Sequence, residues 1–262
     1  MTSKTEPRLL CYDLGEGVTA FSTTRHGGVS EANYASFNIN PYCGDSADHV
    51  ARNRQLLADR LGLPASHIVL PHQVHGIEHR AVASELLDMS DAVRDKILDG
   101  VDMVTTSMTG VCIGISTADC IPVLLYDPVA RATAAIHAGW RGTLQRICQR
   151  AVMAMQLHYG TTPDRLRAVV GPGISLANFE VGQDVYDQFV QAGFDLTETA
   201  EWHTKWHLDL PGINIRELIG CGVAPEHIHH AGICTFDHAD DYFSARRLGI
   251  DSGRIYTGIL MR

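Results

Sequence analysis

Cys120 and His137 are the two residues of this sequence whose types and spacing first suggest chemistry. The short apolar run Val123–Tyr126 follows Cys120, the pair Asp127-Pro128 indicates a turn, and the run Ala132–Ile136 leads to His137. Two short apolar runs around a turn predict a β-hairpin. The ends of the two strands away from the turn lie side by side, so we expect the Cys120 and His137 side chains to be neighbours.

A cysteine beside a histidine permits two kinds of chemistry. The imidazole can take the thiol proton and leave a nucleophilic thiolate. Alternatively, thiolate and imidazole can both bind a borderline-soft metal such as zinc. A purely structural alternative is a buried cysteine that packs beside a hydrogen-bonded histidine. Asp119 next to the cysteine, and the sequence Gly139-Trp140-Arg141-Gly142 after the histidine, favour an exposed concave site over a sealed core.

Several short motifs resemble those of a known family. Thr117–Pro122 and His137–Gly142 are similar to the signatures of the YfiH family, also called the laccase-domain, multicopper polyphenol oxidase-like or purine nucleoside phosphorylase family. Further family motifs follow one another in the expected order: Thr24–Gly28, Gln73–Gly76, Gly171–Ile174, Phe179–Gly182, Cys234–Thr235, Phe243–Arg247 and Gly253–Arg254. Because these motifs cover almost the whole chain, the resemblance concerns all of it.

The resemblance implies a metal site with three ligands. They are the histidine of Gln-Val-His, the cysteine of Ala-Asp-Cys and the histidine of His-Ala-Gly-Trp, which here are His75, Cys120 and His137. His72 is the alternative to His75. Three protein ligands leave zinc one open position, which is typical of catalytic sites, and a water bound there has a pKa of roughly 7. Zinc is therefore the expected cofactor, and the soft thiolate also admits copper.

Residues near these ligands are candidates for substrate binding and catalysis. Arg25 and Arg141 are candidate anion clamps, and Arg141 precedes a predicted helix N-terminus, where phosphate commonly binds. Asp119 is a candidate general base, or alternatively orients a ligating histidine. Together with Cys120, His137, His75 and Arg141 it forms the expected catalytic set. Further substrate contacts are expected from an aromatic ring, a carboxylate and a backbone segment, at Phe179, Glu180 and Gly173.

The elements that must position these residues indicate an α+β protein. Strands are predicted at 8–14, 17–24, 67–70, 101–105, 111–116, the central hairpin, 166–170, 229–234 and 254–260. Helices are predicted at 48–61, from a cap at Thr143 to Gly160, at 183–192 and at 211–220. Strands and helices do not alternate strictly, which favours a mixed sheet over a Rossmann fold. The Asp-rich stretch 85–100 is ambiguous and is interpreted as a surface insertion.

The resemblance makes the expected fold more specific. It implies a single-domain mixed β-sheet sandwich flanked by helices, over residues 1–262, similar to a bacterial toxin deamidase whose catalytic pair is also a cysteine and a histidine. The sequence contains no repeat, linker or low-complexity tract that would contradict one domain.

Composition excludes several classes of protein. The formal net charge is -9 and no run of basic residues occurs, so binding to nucleic acid or to an anionic membrane is not expected. The N-terminal residues contain no apolar core of a signal peptide, and no stretch of about 18 apolar residues predicts a membrane span. Seven scattered cysteines without a CxxC pair indicate a reducing compartment. We therefore expect a cytoplasmic enzyme without disulfides.

The function implied by the resemblance is purine nucleoside chemistry. It comprises phosphorolysis of adenosine, inosine, guanosine and methylthioadenosine, and deamination of adenosine, so purine nucleosides and phosphate are the expected partners. Three alternatives remain at this point: a metal-dependent oxidase of phenols, a Cys-His hydrolase or amidase that edits peptidoglycan precursors, and a metal-stabilised binding protein without turnover. The sequence does not determine the oligomeric state, the physiological substrate or the metal.

Overall fold

The computed structural model of the chain describes residues 6–262. Its strands, in chain order, are β1 (Leu9–Tyr12), β2 (Val18–Thr23), β3 (Ile68–Val69), β4 (Glu78–Ala81), β5 (Val101–Thr106), β6 (Cys112–Thr117), β7 (Ile121–Asp127), β8 (Ala132–Ala138), β9 (Arg167–Val170), β10 (Glu180–Val181), β11 (Ala200–Trp202), β12 (Trp206–Leu208), β13 (Ile228–His230) and β14 (Ile255–Met261). Its α-helices are α1 (Ala47–Leu61), α2 (Ser84–Asp88), α3 (Asp91–Leu98), α4 (Trp140–Leu144), α5 (Ile147–Tyr159), α6 (Gln183–Gln191), α7 (Leu210–Gly220) and α8 (Ala245–Leu248).

The strands form two large sheets and one small sheet. The first has the order β1-β2-β14-β6-β3, the second the order β13-β9-β7-β8-β5-β4, and the small one the order β10-β12-β11. Most neighbours are antiparallel, but the pairs β3–β6, β4–β5 and β9–β13 are parallel. The expected mixed-sheet α+β architecture is therefore confirmed, and solved relatives described below share it.

The two large sheets pack face to face, with helices on both outer sides. Side chains from both sheets, such as Ile113 and Leu124, form the interior of the sandwich. Helix α1 covers the outer face of the first sheet, where Leu57 packs near Phe21. Helices α5 and α7 cover the outer face of the second sheet. The order of layers is thus helix, sheet, sheet, helix.

The central hairpin is present with the predicted strands. Strands β7 and β8 are antiparallel, and Pro122 lies opposite His137. Successive side chains of β7 enter different layers, because Val123 belongs to the helix-covered side and Leu124 to the interior of the sandwich. Both faces of the strand are therefore buried, which explains why its sequence is continuously apolar rather than alternating.

The helix predicted to begin at Thr143 has a different start. The chain forms the short helix α4, leaves helical geometry, and begins α5 at Ile147. Thr143 is no cap, because it lies inside α4, where its hydroxyl accepts a hydrogen bond from Asn214 at 3.0 Å. Arg146 adopts a left-handed conformation with φ 60° and pairs with Glu217 at 2.5 Å. This break depends on contacts with a distant helix, so helical periodicity alone could not predict it.

Two other sequence expectations change. The stretch 85–100 is no simple surface insertion, because α2 and α3 bury Leu86 and Leu98 in the sandwich. The strand predicted at 229–234 ends at His230. The prediction that the N-terminal residues form no signal peptide concerns residues 1–5 in part, and these residues lie outside the described part of the chain. Within residues 6–262, no helix combines the length and hydropathy that a membrane crossing needs.

Candidate metal centre

The three predicted ligands lie where the chain passes between sheets or leaves one. His75 is on the connection from β3 in the first sheet to β4 in the second, and Cys120 is on the connection from β6 in the first sheet to β7 in the second. His137 is near the end of β8, across from β7. Two crossovers and one strand end therefore meet at one edge of the sandwich.

Side-chain geometry brings these three residues together. One nitrogen from His75, one from His137 and the Cys120 sulfur all lie within 4.8 Å of one another, and no second group of this kind occurs among residues 6–262. His75 is exposed, Cys120 is partly buried and His137 is buried. Two imidazoles and one thiolate are a donor set that suits tetrahedral zinc with one position open, so these residues fit the expected metal.

Gly139 lies against the ligands and leaves room for them. A Cβ atom at this position would come within 3.1 Å of both the Cys120 sulfur and the His75 ring. A side chain here would therefore crowd both groups, and the sulfur or the ring would have to shift by a few tenths of an ångström. Gly139 belongs to the His-Ala-Gly-Trp motif of the sequence. The motif alone does not explain why a glycine is needed at this position.

Asp102 is the main site residue that the sequence analysis missed. Its buried carboxylate accepts backbone hydrogen bonds from Val74, His75 and Gly76 at 3.2, 3.0 and 2.7 Å. It also accepts one from Nδ1 of His137 at 2.7 Å. A carboxylate can only accept, so Nδ1 carries the proton and Nε2 is left for a metal. The signal in the sequence was an aspartate within the otherwise apolar and hydroxyl-bearing strand β5.

The electrostatics of the group favour a charged pair. Burial acts to raise the pKa of the Cys120 thiol, but the charge and hydrogen bonds of His137 and His75 outweigh it and lower this pKa to about 6. Burial acts to lower the pKa of His137, whereas Cys120 and Asp102 raise it. The pKa of Asp102 is below its usual value because the hydrogen bond and charge of His137 outweigh burial. A thiolate is the form that ligates metals or attacks electrophiles.

Gln73 fixes the loop that carries His75. Its side-chain nitrogen donates to the Ser116 carbonyl at 2.8 Å, and its side-chain oxygen accepts from the Ser116 amide at 2.7 Å. The amide side chain thus pairs with β6 as a neighbouring strand would. His75 itself has a positive φ of 63°, a conformation that the hydrogen bond to Asp102 holds.

His72 does not belong to the group of close donor atoms that His75, Cys120 and His137 form. Its Nδ1 atom pairs with Asp99 at 2.6 Å, and its ring packs on Tyr42 with centroids 4.3 Å apart. The preference for His75 over His72 therefore agrees with the geometry.

A cavity of about 300 Å³ opens beside the three ligands. Its volume is at the lower end of the range for small-molecule sites. It contains residues that the sequence analysis did not assign to the site, notably Asn40, Tyr42 and Arg254. Its lining consists of Asn40, Tyr42, Cys43, His72, Gln73, His75, Ser116, Thr117, Ala118, Cys120, His137, Ala245, Ile250 and Arg254.

The hydrogen bonds of Asp119 do not orient either of the candidate histidine ligands. Its two carboxylate oxygens accept from the Thr235 hydroxyl and from the Arg246 amide, both at 2.7 Å. The aspartate that orients His137 is Asp102 instead. Asp119 therefore connects the turn before Cys120 to the C-terminal segment at α8.

The two candidate anion clamps are in different surroundings. Arg25 donates to the carbonyls of Ala35 and Ala239 at 2.8 and 2.6 Å, and it does not line the cavity beside the ligands. Arg141 is exposed, and its guanidinium lies over the ring of Trp140 at 4.3 Å. Arg141 is thus accessible and close in sequence to Gly139 and His137, but like Arg25 it does not line the cavity beside the ligands.

The remaining candidates form a neighbouring group. Phe179 lies under the guanidinium of Arg246 at 5.6 Å, and the Glu180 carboxylate pairs with Lys205 at 2.7 Å. Gly173 is buried, and a Cβ there would be 3.3 Å from the Cys120 carbonyl. Gly173 thus lies against the turn that carries Cys120, and none of Gly173, Phe179 and Glu180 lines the cavity.

Comparisons with known proteins give the family. A family model described as "Multi-copper polyphenol oxidoreductase laccase" matches residues 19–262. A Bacteroides thetaiotaomicron protein called "Purine nucleoside phosphorylase" is 44% identical over 93% of this chain and 92% of its own length. "Adenosine deaminase RL5", from an unknown prokaryotic organism, is 39% identical over 93% of this chain and 94% of its own.

Solved structures agree with this relationship. The Bacillus licheniformis hypothetical protein YfiH superposes with a TM-score of 0.91 at 28% identity, over 98% of this chain and 97% of its own. YlmD from Geobacillus stearothermophilus gives a TM-score of 0.87 at 30% identity, over 96% and 94%. The match over nearly the whole chain shows that this protein belongs to the multi-copper polyphenol oxidoreductase laccase family, the family of YfiH and YlmD.

Proposed function

We propose that this protein is a zinc-dependent enzyme that cleaves purine nucleosides with phosphate and also deaminates adenosine. The substrates would be adenosine, inosine, guanosine and methylthioadenosine. The observation that carries the proposal is the group of close donor atoms from His75, Cys120 and His137 beside an open cavity. Two relatives that match more than 90% of the chain support the reaction classes, because one is named for purine nucleoside phosphorolysis and the other for adenosine deamination.

Each ligand has a defined part in this proposal. His75, Cys120 and His137 would hold the ion, and zinc, when bound, supplies a Lewis acid at the floor of the cavity. Asp102 keeps the proton of His137 on Nδ1 and so presents Nε2. His75, Cys120 and His137 all line the cavity, so a bound ion would be accessible from it.

Phosphate requires a cation, and we propose Arg141 for this part. It is exposed and follows the His137–Gly139 segment directly, and its N–H groups make no ion pair within residues 6–262. Guanidinium groups bind phosphate by paired charge-assisted hydrogen bonds. Arg25 is less suited, because backbone carbonyls already occupy two of its nitrogens.

A product assay tests the proposed function. Adenosine is incubated with the protein as purified, with chelated protein and with chelated protein reloaded with zinc, each with and without phosphate. We expect adenine and ribose 1-phosphate when phosphate is present, inosine in its absence, and neither product after chelation. Turnover that is unaffected by chelation, or no turnover of any of the four nucleosides by zinc-loaded protein, would refute the proposal.

A second candidate function is a cysteine hydrolase or amidase with Cys120 as nucleophile. The lowered thiol pKa and the adjacent His137 favour it, since these are the features of an activated thiolate. Iodoacetamide distinguishes the two. A thiolate whose lone pairs are bound to zinc should be alkylated slowly until the metal is chelated, whereas a free Cys-His thiolate should be alkylated fast in both states.

The family description also names oxidation of phenols by several coppers. The residues 6–262 provide one three-donor group rather than the several histidine-rich groups that a multicopper centre requires. A single-metal mechanism is therefore the better match to the donor set, although the thiolate would also accept copper. Assay of a phenol with copper-loaded protein tests this alternative directly.

A further inference from the structure

A second cavity, of about 540 Å³, lies beside the one at the metal ligands. Tyr42 belongs to the walls of both cavities. The second cavity is bounded by α1, by the segment Ile68–Leu70 and by the α2–α3 region. Its volume is in the range of small-molecule binding sites.

The apolar walls of this cavity are parts of the packed core. Val50, Ile68, Leu70, Leu86 and Leu98 line it, and each of these side chains is at most 6% exposed. Ile68 and Leu70 belong to the core under α1, whereas Leu86 and Leu98 belong to the interior of the sandwich. The cavity thus lies at the seam between two clusters, and core side chains hold its shape.

One cation in the cavity has no acidic partner. The Arg54 side chain makes a single hydrogen bond within residues 6–262, from Nη2 to the Ile68 carbonyl at 2.8 Å, and no carboxylate lies within ion-pair distance. Burial lowers the pKa of Arg54, and Tyr256, Tyr42 and Asp95, which act to raise this pKa, do not fully offset the effect of burial. By contrast, the second arginine of the lining, Arg94, pairs with Asp91 and donates to the Ser66 carbonyl.

We propose that this cavity binds a small organic monoanion with an apolar body, in the chemical class of aliphatic or aromatic carboxylates. The apolar part would contact Val50, Leu86 and Leu98, and the anionic group would accept hydrogen bonds from the remaining N–H groups of Arg54. Desolvated charge-assisted pairs are strong, so one such contact can fix the orientation of a ligand that is otherwise held by apolar burial. Asp95, at the exposed rim, acts on the Arg54 charge and raises its pKa but forms no ion pair with it within residues 6–262, so the Arg54 N–H groups stay available to a ligand.

The test uses 8-anilinonaphthalene-1-sulfonate, an apolar anion, and N-phenyl-1-naphthylamine, its uncharged counterpart. Zinc-loaded full-length protein is titrated with each probe by fluorescence and calorimetry. We expect one sulfonate probe per chain, bound about tenfold more tightly than the neutral probe, because a charge-assisted hydrogen bond is worth about that factor. Octanoate and phenylacetate serve as competitors, and displacement by at least one of them is expected.

Two variants locate the site. Arg54→Gln should weaken the sulfonate probe about tenfold and leave the neutral probe unchanged, whereas Arg52→Gln, at an exposed position of the same helix, should change neither. Ala51→Trp fills the cavity from an exposed backbone position without removing the charge, and should weaken both probes. Melting temperatures near that of the parent show that each variant is folded.

Other outcomes would overturn the proposal. Equal effects of Arg54→Gln and Arg52→Gln would mean surface adsorption, and unchanged binding in Ala51→Trp would place the probe elsewhere. Failure of both carboxylates to displace the probe would exclude the proposed ligand class. None of these measurements involves nucleoside turnover, so they stand apart from the test of the proposed function.

Discussion

His75 and His72 are three residues apart on one loop, yet of the two only His75 belongs to the group of close donor atoms found among residues 6–262. His75→Ala should abolish zinc binding and nucleoside turnover together, because a two-ligand remainder cannot complete the site. His72→Ala is the matched control, since His72 lines the same cavity but pairs with Asp99. We expect it to retain stoichiometric zinc. Elemental analysis and product assay of both variants make the comparison.

The opposite pattern would assign the ligand differently. If His72→Ala lost the metal and His75→Ala retained it, the ligand would be His72. If His75→Ala bound no metal but kept full turnover, the metal site would be rejected. Cys120 would then act as a nucleophile activated by His137.

Asp102 connects two of the ligands through one carboxylate. Each of its oxygens accepts two hydrogen bonds, so Asp102→Asn would direct an NH₂ group at N–H donors that now have acceptors. We expect the zinc affinity to fall by roughly 10–100-fold, as for other residues that orient metal-bound histidines. The free energy of unfolding of the metal-free protein should fall by about 1–3 kcal/mol, the cost of a buried unsatisfied group.

Asp99→Asn is the control for this substitution. Asp99 is exposed and contacts His72, outside the ligand group. The zinc affinity of the Asp99→Asn protein, measured by competition with a chromogenic chelator, should equal that of the parent protein. An Asp102→Asn protein with parental zinc affinity would show that the His137 tautomer and the loop at residue 75 do not need the carboxylate.

At the scale of elements, Gln73 joins the ligand loop to strand β6. Gln73→Ala removes two hydrogen bonds to the Ser116 backbone and leaves that amide and carbonyl without partners. The free energy of unfolding should fall by about 1–3 kcal/mol, and the zinc affinity should fall less than in Asp102→Asn, because His137 stays oriented. Urea unfolding measures the first effect and chelator competition the second.

Gln55→Ala gives the baseline for Gln73→Ala. Gln55 is an exposed residue of α1 that donates only to Asp59. Gln55→Ala should lower the free energy of unfolding by less than about 0.5 kcal/mol, as for other side-chain pairs on a helix surface. If both variants unfold alike, the side chain of Gln73 does not hold the loop.

The elements differ in how far the sequence determines them. The hairpin β7–β8 was predictable because both of its faces are buried, which requires the continuous apolar runs on either side of Asp127. The start of α5 was not, because the left-handed Arg146 depends on Glu217 and Phe194 from distant elements. Local periodicity carries no information about such contacts.

The same distinction applies to the candidate site. Cys120 and His137 could be paired from the hairpin register alone, whereas His75 required a family motif. Asp102 was missed because no local sequence pattern marks a buried aspartate in a strand. Its role follows only from the folded structure, in which its carboxylate accepts hydrogen bonds from the His75 loop and from His137. Tyr42 and Arg254 reach the cavity from parts of the chain far apart in sequence.

At the scale of the whole molecule, the three candidate ligands lie where the two large sheets are connected. His75 and Cys120 each lie on a connection that leaves the first sheet and enters the second, and His137 belongs to the second sheet. A bound metal would therefore hold two crossovers against β8. Such an ion should stabilise the folded chain as a unit, because an unfolded chain does not keep these three residues together.

Thermal unfolding should detect this stabilisation. At free zinc equal to 100 times the dissociation constant, linkage contributes about 2.7 kcal/mol. For a chain of this size that corresponds to a rise of roughly 5–10 °C in the melting temperature relative to chelated protein. His75→Ala should show no rise, since it retains only Cys120 and His137. A similar rise with magnesium, or in His75→Ala, would mean that the ion acts elsewhere, because magnesium prefers oxygen ligands and this site offers sulfur and nitrogen.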